Sequence, residues 1–167
     1  ALGNQGKIAI VSHSEMGQSA QERVSAFQEA MQGTAGIEIL DPVYDNGEKS
    51  LTETVNELLS SNDDLTGIFC TNGEVSDVVL DCVEAVGDRE IAVVGVDGTS
   101  AQQTAVNTGD EIGFVAQNPY ETGYQTVMLA LRTAFGDSAQ SGSESQIEVQ
   151  WIDRENLSDF EGTGYLM

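Results

Sequence analysis

Apolar positions along the chain alternate between short runs and helical stripes. The runs fall near Lys7–Val11, Ile37–Leu40, Gly67–Cys70, Ile91–Val96, Gly113–Ala116 and Ile147–Trp151; they are short, mostly β-branched, and predict strands. Between them Ala20, Val24, Phe27 and Met31 make one stripe at helical spacing, and Leu51, Val55, Leu58 and Leu59 a second. Val75, Val78, Val79, Cys82, Val83 and Val86 make the cleanest. A weaker helix is predicted over Ala101 to Asn107. A longer one, opened by Asn118-Pro119, carries Tyr124, Val127, Met128, Leu131 and Phe135. Strands alternating with helices predict an α/β fold: three layers, a mainly parallel sheet with helices on both faces, flavodoxin-like or Rossmann-like, with right-handed crossovers. No internal repeat or coiled coil is visible. Gly136 to Glu144, GDSAQSGSE, reads as a connector.

In such a sheet ligands bind beyond the carboxyl ends of the strands, so polar residues just past those ends are the candidates for a site. Four stand out: Arg23 following KIAIV, Asn72 after GIFC, Asp97 after IAVVGV and Gln117 after GFVA. Arginine offers a planar fork of donors, aspartate two acceptors, and each amide one group of either kind. Neighbouring hydroxyls of a polyol or sugar both donate and accept, and this mixed set can bracket them. Each residue also has a plainer reading. Arg23 could be a surface cation, Asn72 a turn former before Gly73, Asp97 the start of an Asp-Gly turn, and Gln117 a neighbour of a helix cap.

Composition narrows the class. At 167 residues the chain is one domain of ordinary size with enough apolar residues, 40%, to build a core. With 28 Asp+Glu against 6 Lys+Arg, the formal charge of -22 repels phosphate backbones and anionic lipid, so nucleic acid is not an expected partner. The acid excess fits either a heavily carboxylated halophile surface or an ordinary acidic extracellular protein. Ile91 to Val96, the longest apolar stretch, is too short to cross a bilayer. The start ALGNQGKIAIV lacks a basic region followed by a long apolar one, so no signal peptide is expected; a mature secreted fragment and a cytosolic protein both fit. Cys70 and Cys82 read as buried free thiols ahead of a disulfide, and with His13 as the one histidine they make no zinc site.

The segments SAQERVSAF (Ser19–Phe27), GIFCTN (Gly67–Asn72), AVVGVDGT (Ala92–Thr99) and GFVAQNPYETGY (Gly113–Tyr124) resemble the C-terminal half of type I periplasmic sugar-binding proteins. More narrowly, they resemble the ribose/xylose/galactose-type solute-binding proteins of ABC importers, relatives of the sensor domains of lactose-repressor-type regulators. The resemblance runs from about Gly6 to Glu155. It implies that Arg23, Asn72, Asp97 and Gln117 contact the sugar. It also implies that residues 1–167 are a single C-terminal lobe, with 6–117 and 145–155 as its core and 118–137 a helix that packs on a missing N-terminal lobe. Aromatic rings against the sugar then come mainly from that other lobe; Tyr44, in VYDNG, is the candidate here, its plainer reading being an exposed loop tyrosine. The implied partners are a pentose or hexose, the importer's membrane permease and the missing lobe, with self-association through 118–137 as a further expectation. Location would be periplasmic or extracellular, a cell-surface anchor included. No cofactor and no metal is implied.

Three functions compete on these grounds. The first is a non-catalytic sugar-binding component of an ABC-type importer, which AQNPYETGY and the acidity favour. The second is the effector-sensing domain of a transcription regulator, which needs an upstream helix-turn-helix. The third is a small α/β enzyme, but no G-x-G-x-x-G follows a strand and GNQGK (Gly3–Lys7) lacks P-loop spacing. Asn72 stands where a receiver domain would need a phosphorylatable aspartate. Asp97 and His13 have no accompanying nucleophile or oxyanion element, so no enzymatic activity is expected.

Overall fold

A computed structural model describes residues 3, 5–45, 47, 49–87, 89–136 and 146–167. The elements are β1 (Gly6–Ser12), α1 (Gln18–Met31), β2 (Ile37–Ile39), β3 (Val43–Tyr44), α2 (Leu51–Ser61), β4 (Leu65–Cys70), α3 (Gly73–Ala85), β5 (Ala92–Val96), α4 (Ser100–Thr108), β6 (Gly113–Ala116), α5 (Pro119–Ala134) and β7 (Gln150–Asp153). A 3₁₀ turn follows at Leu157–Phe160. They build one seven-stranded sheet in the order β2-β1-β4-β5-β6-β7, with β3 also paired to β1. All pairings are parallel except β6 with β7, so the mainly parallel α/β fold expected from the pattern is the one observed.

Side chains alternate across the sheet. On one face Ala9, Val11, Ile68, Cys70 and Val93 pack with Val55, Leu58 and Leu59 of α2 and with Val75, Val79 and Cys82 of α3. Phe114, Ala116 and Ile152 extend that layer against Val106 of α4 and the tail residues Leu157, Phe160, Tyr165 and Leu166. On the other face Phe27 of α1 stacks on Phe69, ring centroids 4.5 Å apart and planes within 6°. Both cysteines are free and buried, as their positions predicted.

Two strands depart from expectation. Tyr44 is not in a loop: it lies half-buried in β3, opposite Ser12. β2 and β3 run along the same flank of β1 with a break between them. Ile39 pairs with Ile8 and Val43 with Val11, so three residues, Leu40–Pro42, oppose two, and proline has no N–H to offer the ladder. The last strand is Gln150–Asp153, not Ile147–Trp151, because its partner β6 has only four residues and pairs Ala116 with Gln150. Of the connector Gly136–Glu144, residues 137–144 lie outside the described residues.

Helix α5 begins as predicted, with Asn118 accepting the N–H of Glu121 and proline at the first position. None of its residues is buried. Leu131 is 46% exposed and Phe135, its C-cap, 87%, whereas Leu59 in α2 is 1% exposed. Stability therefore resides in the sheet and in α1–α4. In urea unfolding of this chain, Leu59→Ala is expected to cost about 2–5 kcal/mol, and Leu131→Ala to stay within about 0.5 kcal/mol. Equal costs at the two sites would contradict the assignment.

Candidate functional site

The strand order locates the site before any side chain is considered. From β1 the chain crosses to β2 on one side, then returns by α2 to place β4 on the other. This reversal opens a crevice beyond the carboxyl ends of β1 and β4, the place where open α/β sheets take ligands. His13 follows β1 there, and Thr71 and Asn72 follow β4. Asp97 and Gln117 come next along the same edge, each one residue past its strand, β5 and β6.

All four residues singled out in the sequence lie on this rim, joined by a row of hydrogen bonds. Arg23 reaches up from α1, half-buried, and donates Nη1–H to the carbonyl of Thr71 at 2.6 Å. Asn72 caps α3, its Oδ1 accepting the N–H of Val75 at 3.0 Å. Asp97 Oδ2 accepts the N–H of Gly73 at 2.9 Å, and its Oδ1 accepts from the side-chain amide of exposed Gln117. The plainer readings are thus partly realised as well. Asn72 does shape the start of a helix, and Asp97 does open an Asp-Gly turn, with φ of 100° at Asp97 and 88° at Gly98. Asp97 is the one non-glycine residue with positive φ among the described residues. Such a conformation is costly for a side chain with a Cβ and persists only where surrounding contacts fix it. Gly98 has no alternative, since a Cβ there would stand 2.5 Å from the Phe114 ring.

Sequence reasoning passed over the centre of the crevice. Thr71, fully buried, accepts the backbone N–H of His13 at 3.1 Å, meets His13 Nδ1 at 2.8 Å and donates to Ser12 Oγ at 3.2 Å. It ties β1 to β4 at the switch point. Thr71 directly follows the predicted strand Gly67–Cys70, but a small hydroxyl there gives no sign of its contacts with residues nearly sixty positions earlier. Burial, and then the Arg23 guanidinium, push the His13 pKa below its ordinary 6.5, while the carboxylates of Asp97 and Glu74 pull the other way. Tyr44 ends β3 beside Ser12, which sets its backbone on the same rim. A groove of about 1050 Å³ lies elsewhere, between α3 and α4 near the amino-terminal ends of β4 and β5, lined by Leu80, Ala101 and several carboxylates. It sits at the edge of the sheet opposite the strand-end residues.

Residues 1–138 match the model of the periplasmic binding protein domain. The chain belongs to this family. The resemblance carried by the four segments is thereby borne out. Among the relatives of this periplasmic binding protein domain are the ribose import binding protein RbsB of Escherichia coli K12, 27% identical over 123 residues, and that of Haemophilus influenzae, 28% identical over 149. The matched segments are 74% and 89% of this chain but 42% and 50% of those proteins, so the chain spans about half the length of the curated relatives it matches. Among solved structures, an ABC transporter solute-binding protein from Agrobacterium vitis with bound D-fucose superposes with a TM-score of 0.84. It is 23% identical, and the match covers 99% of this chain and 57% of that one. At that identity the likeness speaks for the fold.

His13 supplies a pH signature of the rim. Its lowered pKa means the folded chain binds this proton less tightly than the unfolded chain does. The stabilising contribution is present above 6.5 and is lost as pH falls through the lower folded-state value. NMR titration of the ring is expected to give a midpoint below 6.5; a midpoint at or above that value would contradict the geometry.

Proposed function

We propose that this chain is the C-terminal lobe of a two-lobed, non-enzymatic sugar-binding protein that captures a pentose or hexose for an ABC-type importer. The observation that supports it most is the row Arg23, Thr71–Asn72, Asp97, Gln117, continuous along the carboxyl rim at the switch point of a periplasmic binding protein domain. Arg23 keeps further N–H donors beyond its bond to Thr71, Asn72 keeps its amide N–H groups, and Asp97 has two oxygens with remaining lone pairs. These groups are poised to meet adjacent hydroxyls, with the ring of Tyr44 as an apolar surface for a sugar face. Relatives that carry the name ribose import binding protein make a pentose the first ligand to try.

On this reading residues 6–117 and 145–155 form the lobe core, and α5, within 118–137, reaches toward an N-terminal lobe that would close over the sugar. Tyr124, Val127 and Leu131 are about half exposed and Phe135 nearly wholly so, and covering what remains would gain on the order of 1 kcal/mol each, more for Phe135. The facing lobe would cover them in the whole protein, and a second copy of α5 would do so in the isolated lobe. The whole protein would work in the periplasm or outside the cell, handing ligand to a membrane permease. The regulator reading draws no support from the relatives that match.

In a two-lobed protein carrying this lobe, Asp97→Ala is expected to weaken sugar binding by about 2 kcal/mol, roughly 30-fold, by removing a charged acceptor. Unchanged affinity by isothermal titration would remove Asp97 from the site. Sedimentation of the isolated lobe is expected to show concentration-dependent association that Leu131→Glu abolishes. A clean monomer at high concentration would refute self-association through α5.

A further inference from the structure

The most deeply buried carboxyl group among the described residues belongs to Glu111, 1% exposed, in the turn between α4 and β6. Its Oε1 accepts from Gln102 Nε2 at 3.0 Å, and its Oε2 is buried with no hydrogen-bond partner. Gln102, itself fully buried, uses its other end beneath the candidate pocket. Its Oε1 accepts the N–H of Gly98 at 2.9 Å and of Thr99 at 3.0 Å, the two residues that follow Asp97.

The chemistry of an amide makes these contacts interdependent. To accept two backbone N–H groups, Gln102 must present its oxygen to the turn, which aims its NH₂ away from it into the interior. There an apolar neighbour would leave a buried donor unsatisfied, favouring a flipped or withdrawn side chain. Glu111 supplies the missing acceptor. Space for the pair comes from Gly95 of β5, where a Cβ would stand 2.4 Å from Ser76 Oγ, 2.6 Å from Gln102 Nε2 and 2.7 Å from Glu111 Oε1. Ser76 in turn donates to the carbonyl of Asn72 at 3.0 Å, so the same buried cluster touches the start of α3.

We infer that Glu111 is a positioning residue for the candidate pocket: through Gln102 it locks the Asp97–Gly98–Thr99 turn and so fixes where the Asp97 carboxylate stands on the rim. The consequence for ligand rests on the sugar-binding reading; the lock itself is readable without any ligand. Its protonation state adds a handle. Burial raises the Glu111 pKa to about 8, Asp77 of α3 adds to the shift, and the Gln102 hydrogen bond opposes it. The Cys70 thiol of β4 also feels this carboxyl group, and its own pKa is raised, mainly by burial and further by Glu111. Because the folded pKa is raised from 4.5, the folded chain holds this proton more tightly than the unfolded chain. The associated stability is complete below 4.5 and is lost as pH rises toward about 8.

The test is an NMR titration of the ¹⁵N-labelled chain without ligand. In the wild type, the backbone amides of Gly98 and Thr99 and the side-chain amide of Gln102 are expected to shift together with a midpoint of about 8. Glu111→Gln keeps an acceptor for Gln102 but has no proton to lose, and the transition is expected to vanish at all three groups. Glu111→Leu, which removes the acceptor, is expected to raise exchange at Gly98 and Thr99 at least about tenfold over that at Val93. Amides that stay flat in the wild type, or that titrate equally in Glu111→Gln, would overturn the lock, and the titration decides even if Glu111→Leu does not fold. If the titration behaves as expected but added D-ribose, D-xylose and D-galactose shift none of the rim amides, the sugar-binding reading alone is contradicted.

Discussion

The carboxylate of Asp97 is the interaction on which the rim depends. It accepts from Gly73 at the start of α3 and from Gln117 past β6, while its own strand is β5, so one side chain joins three successive strand-to-helix connections. Its backbone occupies the left-handed region that residues with a Cβ rarely adopt. Three constraints hold it there: the N–H of Asp97 donates to Val115 at 2.9 Å, Gly98 must remain glycine beneath Phe114, and Gln102 grips the next two amides from below. Such strain persists only where surrounding contacts over-determine the conformation, and here it falls on a polar residue at the carboxyl edge of the sheet. On the proposed sugar-binding reading, a carboxylate fixed in this way leaves less ordering to be done on binding.

The layers, and the placement of four polar residues on one rim, were legible in the sequence because both depend on local pattern. Stripes at helical spacing and β-branched runs identify elements whose faces must be buried, and the ends of those runs identify the rim. Asn72, Asp97 and Gln117 follow from that rule as candidates, whereas Arg23 lies within α1 and meets the rim through its long side chain. What stayed hidden depends on contacts distant in sequence. β3 is two residues long and is a strand only because β1 lies beside it. The register of β7 is set by the length of β6. Thr71 looked like one more small polar residue, and its role emerges only when His13 and Ser12, roughly sixty positions earlier, are brought to it. Glu111 follows an Asp in a polar turn and gives no sign in the sequence of being buried; Gly95, which makes room for it, reads as an ordinary strand residue.

The exposed face of α5 and the open rim both lie uncovered among the described residues. A pocket on one sheet edge holds a small ligand only from one side, and ligand sites ordinarily bury most of the ligand's surface. A helix with no buried residue gains little from its own domain. Both features are accounted for if a second lobe meets this one across the rim, consistent with relatives about twice as long. The buried Gln102–Glu111 pair belongs to the opposite kind of feature, since it is complete within this chain and acts on the rim from the core side.

The central claim is that the carboxyl rim takes a sugar. Amide shift mapping of the ¹⁵N-labelled chain, titrated with D-ribose up to about 100 mM to reach the millimolar affinities expected of half a site, tests it most directly. The account predicts shifts confined to the residues around Thr71–Gly73, Asp97–Thr99, Gln117 and the Arg23 side chain, with none in the groove between α3 and α4. Shifts centred on that groove, or an unperturbed rim with D-ribose, D-xylose and D-galactose alike, would contradict it.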